Sequence, residues 1–118
     1  MGDSDGLRVL KAAREFAVQV AALTRDLPSW APAKLRAQLA DSAASVSRNI
    51  AEGMGRGTTP DLIRFLRYAR GSLEEAQNDL RFCVNTTLID RRTFYPLWNR
   101  SVTIWKMLTA LMDKRERE

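Results

Sequence analysis

Apolar residues recur at steps of three and four along most of the chain, which places them on one side of an α-helix. Four such stretches follow one another, at about residues 7–27, 32–54, 59–86 and 93–114. No stretch alternates strictly between apolar and polar residues as a half-buried strand does, and no dipeptide typical of a tight hairpin joins two apolar runs. The pattern predicts four amphipathic helices and no β-sheet.

Helix-breaking and helix-capping residues separate the four stretches. Pro28 ends the first stretch, and Pro32 suits the first turn of the second. Glycines within 53–57 close the second helix, and Thr58 caps the third ahead of Pro60. Each helix is about 30 Å long, and the short connections make neighbouring helices antiparallel. We therefore predict a single all-α domain over the 118 residues, an up-and-down antiparallel four-helix bundle.

Two residues conflict over the start of the fourth helix. Asp90 is a suitable cap, but Pro96 in a helix that begins there would clash with a carbonyl one turn back. A regular helix that starts at Thr93 avoids the clash, so we expect an irregular first turn before it.

The fourth helix carries a second apolar row beside the one expected to face the core. The row consists of Trp98, Val102, Trp105 and Met112. The first helix is likewise apolar on two adjoining sides. Because a monomeric bundle needs one apolar stripe per helix, the surplus favours a homo-oligomer with Trp98, Val102 and Trp105 at the interface. The alternative is that the indoles bridge the core and rim of their own bundle.

The charge of the chain is positive, with 19 Lys and Arg against 14 Asp and Glu and a net charge of +5. Most of these cations are arginines, which suit bidentate contacts with phosphate and carboxylate. The bias indicates an anionic partner. A solvated basic surface explains the same numbers, because net charge governs solubility and non-specific binding rather than fold.

The antiparallel topology brings the first and third connections to the same end of the bundle. Five cations gather there: Arg25, Lys34, Arg36, Arg91 and Arg92. Arg91 and Arg92 lie near the start of the fourth helix, where cations oppose the helix dipole at a cost of about 0.3–1 kcal/mol. A local rule broken without visible gain indicates function. We expect this end to contact the phosphates of RNA or DNA, unless Asp26, Asp90 and solvent neutralise it.

The sequence lacks the groups that most catalytic and metal sites need. Histidine is absent, which removes the usual general base and the commonest transition-metal ligand. Cys83 falls on the apolar stripe of the third helix and fits a small buried residue. Glu75 and Asp79 lie one turn apart, a spacing that fits a solvated acidic pair better than a weak Mg²⁺ site. We expect no enzyme activity, no cofactor and no metal.

Neither a membrane span nor a secretory signal is expected. The longest apolar run is short and interrupted by charge, and the first six residues are polar and acidic rather than basic. The prediction is a cytoplasmic protein without membrane contact.

Two segments resemble the signature of a known family. The first, at 45–56, contains Asn-Ile-Ala-Glu-Gly followed by Arg56, and the second, at 64–75, contains Phe-Leu-x-x-Ala-x-Gly-Ser-Leu-x-Glu. Both are similar to four-helix-bundle proteins encoded in intervening sequences of bacterial 23S rRNA genes, although Ser47 stands where the family often has proline. That family is similar to accessory proteins of diversity-generating retroelements. The resemblance implies a homo-oligomer, by analogy a pentamer, whose basic surface contacts nucleic acid and a reverse transcriptase.

The signature residues are expected to be structural. They are Asn49, Glu52, Gly53, Arg56, Gly71 and Ser72. Gly71 and Ser72 are small and would let the third helix approach the second. Asn49 and Glu52 would hydrogen-bond to Ser72 or to the following loop, because buried polar groups need partners. Arg56 would pair with Glu52.

Two hypotheses for the function follow. The first is a non-enzymatic, homo-oligomeric protein that binds RNA or DNA phosphates through the basic end. The second is a scaffold that docks an acidic protein partner, such as a reverse transcriptase, on the same cations.

Overall fold

A computed structural model of the protein describes residues 4–118 and contains four α-helices. They are α1 (Ser4–Asp26), α2 (Ala33–Gly55), α3 (Thr59–Asn85) and α4 (Arg91–Arg117). No β-strand occurs within the described residues. The predicted all-α fold is confirmed.

Each helix packs against its neighbours in sequence, and α4 returns to pack against α1. The α2–α3 seam is the most extensive and the α1–α4 seam the least. The bundle measures 48 × 22 × 17 Å, and a helix of 27 residues is itself about 40 Å long. The molecule is therefore one helix long, with all connections at its two ends.

The predicted apolar stripes face a common core. The largest fully buried side chains come from all four helices: Phe16, Val20, Leu39, Ile50, Leu66, Leu73, Leu80, Ile104 and Leu108. The core continues into the connections, where Leu27, Ala31, Leu88 and Ile89 are each less than 9% exposed. Burial of these four residues fixes the first and third connections against the end of the bundle.

Side-chain caps set the start of α3 and α4. The Oγ1 of Thr58 accepts a hydrogen bond from the Asp61 N–H at 3.4 Å, and the Oδ1 of Asp90 accepts one from the Thr93 N–H at 2.8 Å. The expected start of the fourth helix at Thr93 is therefore wrong, since α4 begins at Arg91 and contains Pro96. The cap at Asp90 holds the first turn helical, and Pro96 costs the helix one backbone hydrogen bond without ending it.

A left-handed residue closes α3. The Leu88 N–H donates to the Cys83 carbonyl at 2.8 Å and the Thr87 N–H to the Val84 carbonyl at 3.2 Å, which is the Schellman arrangement. It places Thr87 at φ +60°, a conformation that a β-branched residue rarely adopts. After α2, the equivalent left-handed position is taken by Gly57 at φ +86°.

Candidate functional site

The end of the bundle that holds the 27–32 and 86–90 connections is called the basic end below. Arg25 lies in the last turn of α1, Lys34 in the first turn of α2, and Arg91 and Arg92 in the first turn of α4. All four side chains are exposed. Three helix ends thus present cations to the same region of solvent.

These four cations form no ion pair among residues 4–118, whereas most arginines along the sides of the bundle form one. Arg48 pairs with Asp41 and Arg67 with Glu116, for example. An arginine whose donors are already used for a carboxylate gains less from a phosphate, because the existing contact must first break. No carboxylate of residues 4–118 lies within ion-pair distance of the four cations of the basic end.

Arg36 is the exception among the five predicted phosphate contacts. Its half-buried guanidinium donates one hydrogen bond to the Thr24 carbonyl and another, at 2.9 Å, to the Pro28 carbonyl. The carbonyls at a helix C-terminus have no partner within the helix, so Arg36 satisfies the end of α1 and fixes the first connection. These contacts give Arg36 a structural role, and its predicted phosphate contact stays a prediction.

The two aspartates of the basic end neutralise only part of its charge. The N–H and hydroxyl of Thr93 hold the pKa of the Asp90 carboxyl below its ordinary value, and the Arg92 charge lowers this pKa further. Asp90 is therefore ionised, and one of its oxygens serves the helix cap. Asp26 and Arg92 face each other across a cleft of about 420 Å³ between α1 and α4 without forming an ion pair.

The Asn49 signature residue reaches α3 indirectly. Its Nδ2 donates to the Ser45 carbonyl at 2.9 Å and to the Ser45 Oγ at 3.0 Å, and that Oγ lies 2.9 Å from the Ser72 Oγ. The chain of contacts links α2 to α3 through Ser45, which sequence reasoning missed. Glu52 contacts Arg56 instead, at 3.3 Å between Oε1 and Nε.

The small signature residue that permits close packing is Gly53 rather than Gly71. A Cβ on Gly53 would lie 2.9 Å from the Phe65 Cβ, which is shorter than any ordinary contact. A Cβ on Gly71 would meet nothing within 4 Å. The expectation that Gly71 lets α3 approach α2 is wrong, because Gly71 lies off the face that α2 covers.

The second apolar row of α4 is partly covered within the bundle. Trp98, Val102 and Trp105 are half-buried, whereas Met112 is 3% exposed and belongs to the core, which corrects its place in the row. The Arg81 guanidinium lies 4.4 Å from the Trp98 ring centroid. This packing agrees with the alternative of indoles that bridge core and rim.

Trp105 is covered in a similar way by α3. Its Nε1 donates to the Glu74 Oε2 at 3.0 Å, and the Arg70 guanidinium lies 5.5 Å from the ring centroid. The remaining exposed edges of Trp98 and Trp105 are the surface on which the self-association hypothesis depends.

The basic end also carries exposed aromatic rings that sequence reasoning did not assign to the site. Trp30 is 70% exposed, Tyr95 51% and Phe82 49%. The exposure of Trp30 could have been predicted from the sequence, because an aromatic residue between two turn prolines belongs to no helical stripe.

The described residues contain no group of three or more His, Cys, Asp or Glu side chains that could hold a metal ion. Cys83 is fully buried, and this burial raises the pKa of its thiol. Burial and the Glu75 charge likewise raise the pKa of Asp79.

No helix in the described part of the chain has the length and hydropathy of a bilayer span. The chemistry that the basic end offers is hydrogen-bond donation and positive charge.

Helix order, packing and connections define an all-α protein of the antiparallel four-helix-bundle class. The chain belongs to the 23S rRNA-intervening sequence protein family, whose model matches residues 5–110. The family predicted from the segments at 45–56 and 64–75 is thereby confirmed.

One solved structure similar to this chain is a protein of unknown function from the S23 ribosomal protein family of Bacteroides thetaiotaomicron VPI-5482. It is 26% identical, superimposes with a TM-score of 0.84, and the match covers 88% of this chain and 97% of that one. No curated protein matches the chain significantly.

Proposed function

We propose that this protein is a non-enzymatic, homo-oligomeric nucleic-acid-binding protein that contacts phosphates through the basic end. The observation that carries the proposal is a set of four exposed cations that form no ion pair within residues 4–118: Arg25, Lys34, Arg91 and Arg92. Cations that neutralise phosphates release condensed counterions, and this release favours binding to any nucleic-acid sequence.

The position of Arg91 and Arg92 supports the proposal. Both lie in the first turn of α4, where the helix dipole disfavours positive charge. The Asp90 cap offsets part of this cost. A phosphate would offset the rest, because its charge complements both the dipole and the two guanidinium groups.

Two features support self-association. The edges of Trp98 and Trp105 are apolar surface that the bundle does not fully cover. Gly71 lies in the middle of a 27-residue helix, where glycine costs about 1 kcal/mol relative to alanine, and no contact in the bundle requires it. A second copy that packs closely against α3 would explain a glycine at this position, because the absence of a side chain permits the close approach. The number five comes from the family resemblance alone.

A ring of such bundles would present the basic end several times on one face. Repeated weak sites on one assembly bind a long polyanion more tightly than any single site does, because the later contacts are intramolecular. The assembly is therefore expected to bind long RNA or DNA more tightly than short oligonucleotides.

The test compares two double charge reversals with equal net charge. Arg91→Glu with Arg92→Glu alters the basic end, and Lys11→Glu with Arg14→Glu alters exposed cations on the side of α1. Fluorescence anisotropy with labelled RNA and DNA should show a large loss of affinity for the first variant and a small one for the second. Equal losses of affinity in the two variants would mean that binding depends on net charge alone and not on the basic end. Unchanged affinity in the first variant would exclude the basic end, and competition by an acidic protein would then test the scaffold hypothesis.

A further inference from the structure

The most exposed aromatic side chain of the described residues is Trp30, which lies on the turn between α1 and α2. The Ala31 N–H donates to the Pro28 carbonyl at 2.9 Å and closes this turn, with Trp30 near its apex. The indole is 70% exposed. Leu27 and Ala31, in contrast, are 6% and 7% exposed.

The turn that carries Trp30 is held in place from both sides. Arg36 hydrogen-bonds to the Pro28 carbonyl at one side, and the buried Ala31 packs in the core at the other. Pro28 and Pro32 each have a restricted φ angle, which further limits the turn. The indole is thus presented on a fixed backbone, and a ligand that covers it pays little entropy for ordering the protein.

Trp30 differs in this respect from the other two tryptophans. Trp98 stacks on the Phe94 ring at 5.5 Å between centroids and is covered by Arg81, and Trp105 is covered by Arg70. Trp30 has no ring or cation contact within residues 4–118. Most of its indole surface faces solvent and is available to a partner.

Exposed aromatic rings and cations occur together at the basic end. Lys34 follows Trp30 by four residues, in the first turn of α2. Arg91 and Tyr95 share one face of α4 because they are four residues apart. The cross-section of the bundle is 22 × 17 Å, so these groups lie within a span of about that size. An exposed ring beside cations complements a strand whose bases are unpaired, since each nucleotide offers both a phosphate and a planar face.

We infer that the basic end binds single-stranded nucleic acid in preference to duplex, with Trp30 stacking on an unpaired base while Arg25, Lys34, Arg91 and Arg92 contact phosphates. The inference rests on the proposed function, because it specifies the nucleic acid that the same cations hold. In a duplex the base faces are occupied by neighbouring bases, so the indole gains no stacking there. Stacking tolerates any base, and the site is therefore expected to show little sequence preference.

The test measures affinity for three probes of about twelve nucleotides or base pairs, a length within the range of known single-strand sites. The probes are oligo-dT, oligo-rU and a DNA duplex of mixed sequence. Trp30→Leu should weaken binding to both single strands by roughly 5- to 150-fold, the effect of losing one stacked base, and change duplex binding by less than about twofold. Trp30→Phe should restore most of the loss, because it restores an aromatic face.

Tyr68→Leu is the matched control, since Tyr68 is an aromatic residue that is 50% exposed but lies on the side of α3. It should leave the affinity for all three probes unchanged. Thermal unfolding and light scattering should show nearly unchanged stability and an unchanged mass for Trp30→Leu, because most of the indole is exposed and no ring or cation of residues 4–118 packs on it. A change in mass would place Trp30 at an interface between copies and overturn the inference.

The outcomes separate this inference from the proposed function. If Trp30→Leu binds all three probes as the wild type does, or weakens them equally, stacking is excluded while phosphate binding stands. If the wild-type protein binds none of the probes at low salt, both the inference and the proposed function are wrong. A wild-type protein that binds the duplex as tightly as both single strands would also overturn the inference.

Discussion

Adding one methyl group to each of two helical glycines should change the stability of the bundle in opposite directions. Gly53→Ala places a Cβ 2.9 Å from the Phe65 Cβ and 3.3 Å from the Leu62 carbonyl oxygen. Neither atom is the end of a flexible side chain, so α2 and α3 must move apart. Gly71→Ala places a Cβ in open space.

The magnitudes follow from two opposing effects. Alanine is about 1 kcal/mol better than glycine inside a helix, and this gain applies to Gly71→Ala in full. For Gly53→Ala the gain is smaller, because the residue lies in the last turn of α2, and overpacking costs about 1–3 kcal/mol. We expect Gly71→Ala to stabilise the monomer by about 0.5–1 kcal/mol and Gly53→Ala to destabilise it by about 1–2 kcal/mol.

Thermal unfolding followed by circular dichroism measures both effects. At about 2.1 cal/mol/K per residue, 1 kcal/mol corresponds to roughly 4 °C in Tm for a chain of this length. The two variants should therefore differ by about 6–12 °C. Equal shifts, or a more stable Gly53→Ala variant, would refute the packing described at Phe65. If a second copy packs at Gly71, light scattering should also show weaker association for Gly71→Ala.

Three further substitutions test local features of the fold. Thr87→Gly should stabilise the protein by up to about 1 kcal/mol in urea unfolding, because it removes the strain of a β-branched residue at φ +60°. A loss of stability would contradict the left-handed conformation at position 87. Asp90→Ala should lower Tm near neutral pH. Because the pKa of Asp90 is lowered in the folded state, the carboxylate stabilises the fold above the ordinary aspartate pKa of about 3.9, and this stabilisation is lost as the pH falls through the folded-state pKa. The Tm difference between Asp90→Ala and wild type should therefore shrink in acid. A Tm difference that does not change with pH would exclude a role for the charge. Arg36→Ala should cost about 1–3 kcal/mol, since it removes the guanidinium donor from the Thr24 carbonyl in the last turn of α1 and from the Pro28 carbonyl in the connection. Unchanged stability would show that water replaces the guanidinium.

The fold could be predicted from the sequence because its signals are local. The three- and four-residue spacing of apolar positions sets which side of each helix is buried, and residues such as Thr58 and Asp90 mark where helices begin. The start of α4 was misplaced because the cost of Pro96 was overestimated relative to the cap at Asp90.

The contacts of the candidate site depend on how helices are placed against each other, which no local pattern specifies. Arg36 and Lys34 look alike in the sequence, and only the approach of α2 to the end of α1 gives Arg36 its two carbonyls. For the glycines a signal did exist. Gly53 follows Ile50 by three residues and continues the buried stripe, whereas Gly71 lies between Ala69 and Leu73 and falls off it.

The salt dependence of duplex DNA binding tests the central claim most directly. Four phosphate contacts by one subunit predict a slope of about −3.6 for log K against log salt concentration, at about 0.9 for each contact. Arg91→Gln with Arg92→Gln should reduce the slope to about half that value, whereas Lys11→Gln with Arg14→Gln should leave it unchanged. An unchanged slope in the first variant would show that Arg91 and Arg92 contact no phosphate, and the basic end would not be the binding site.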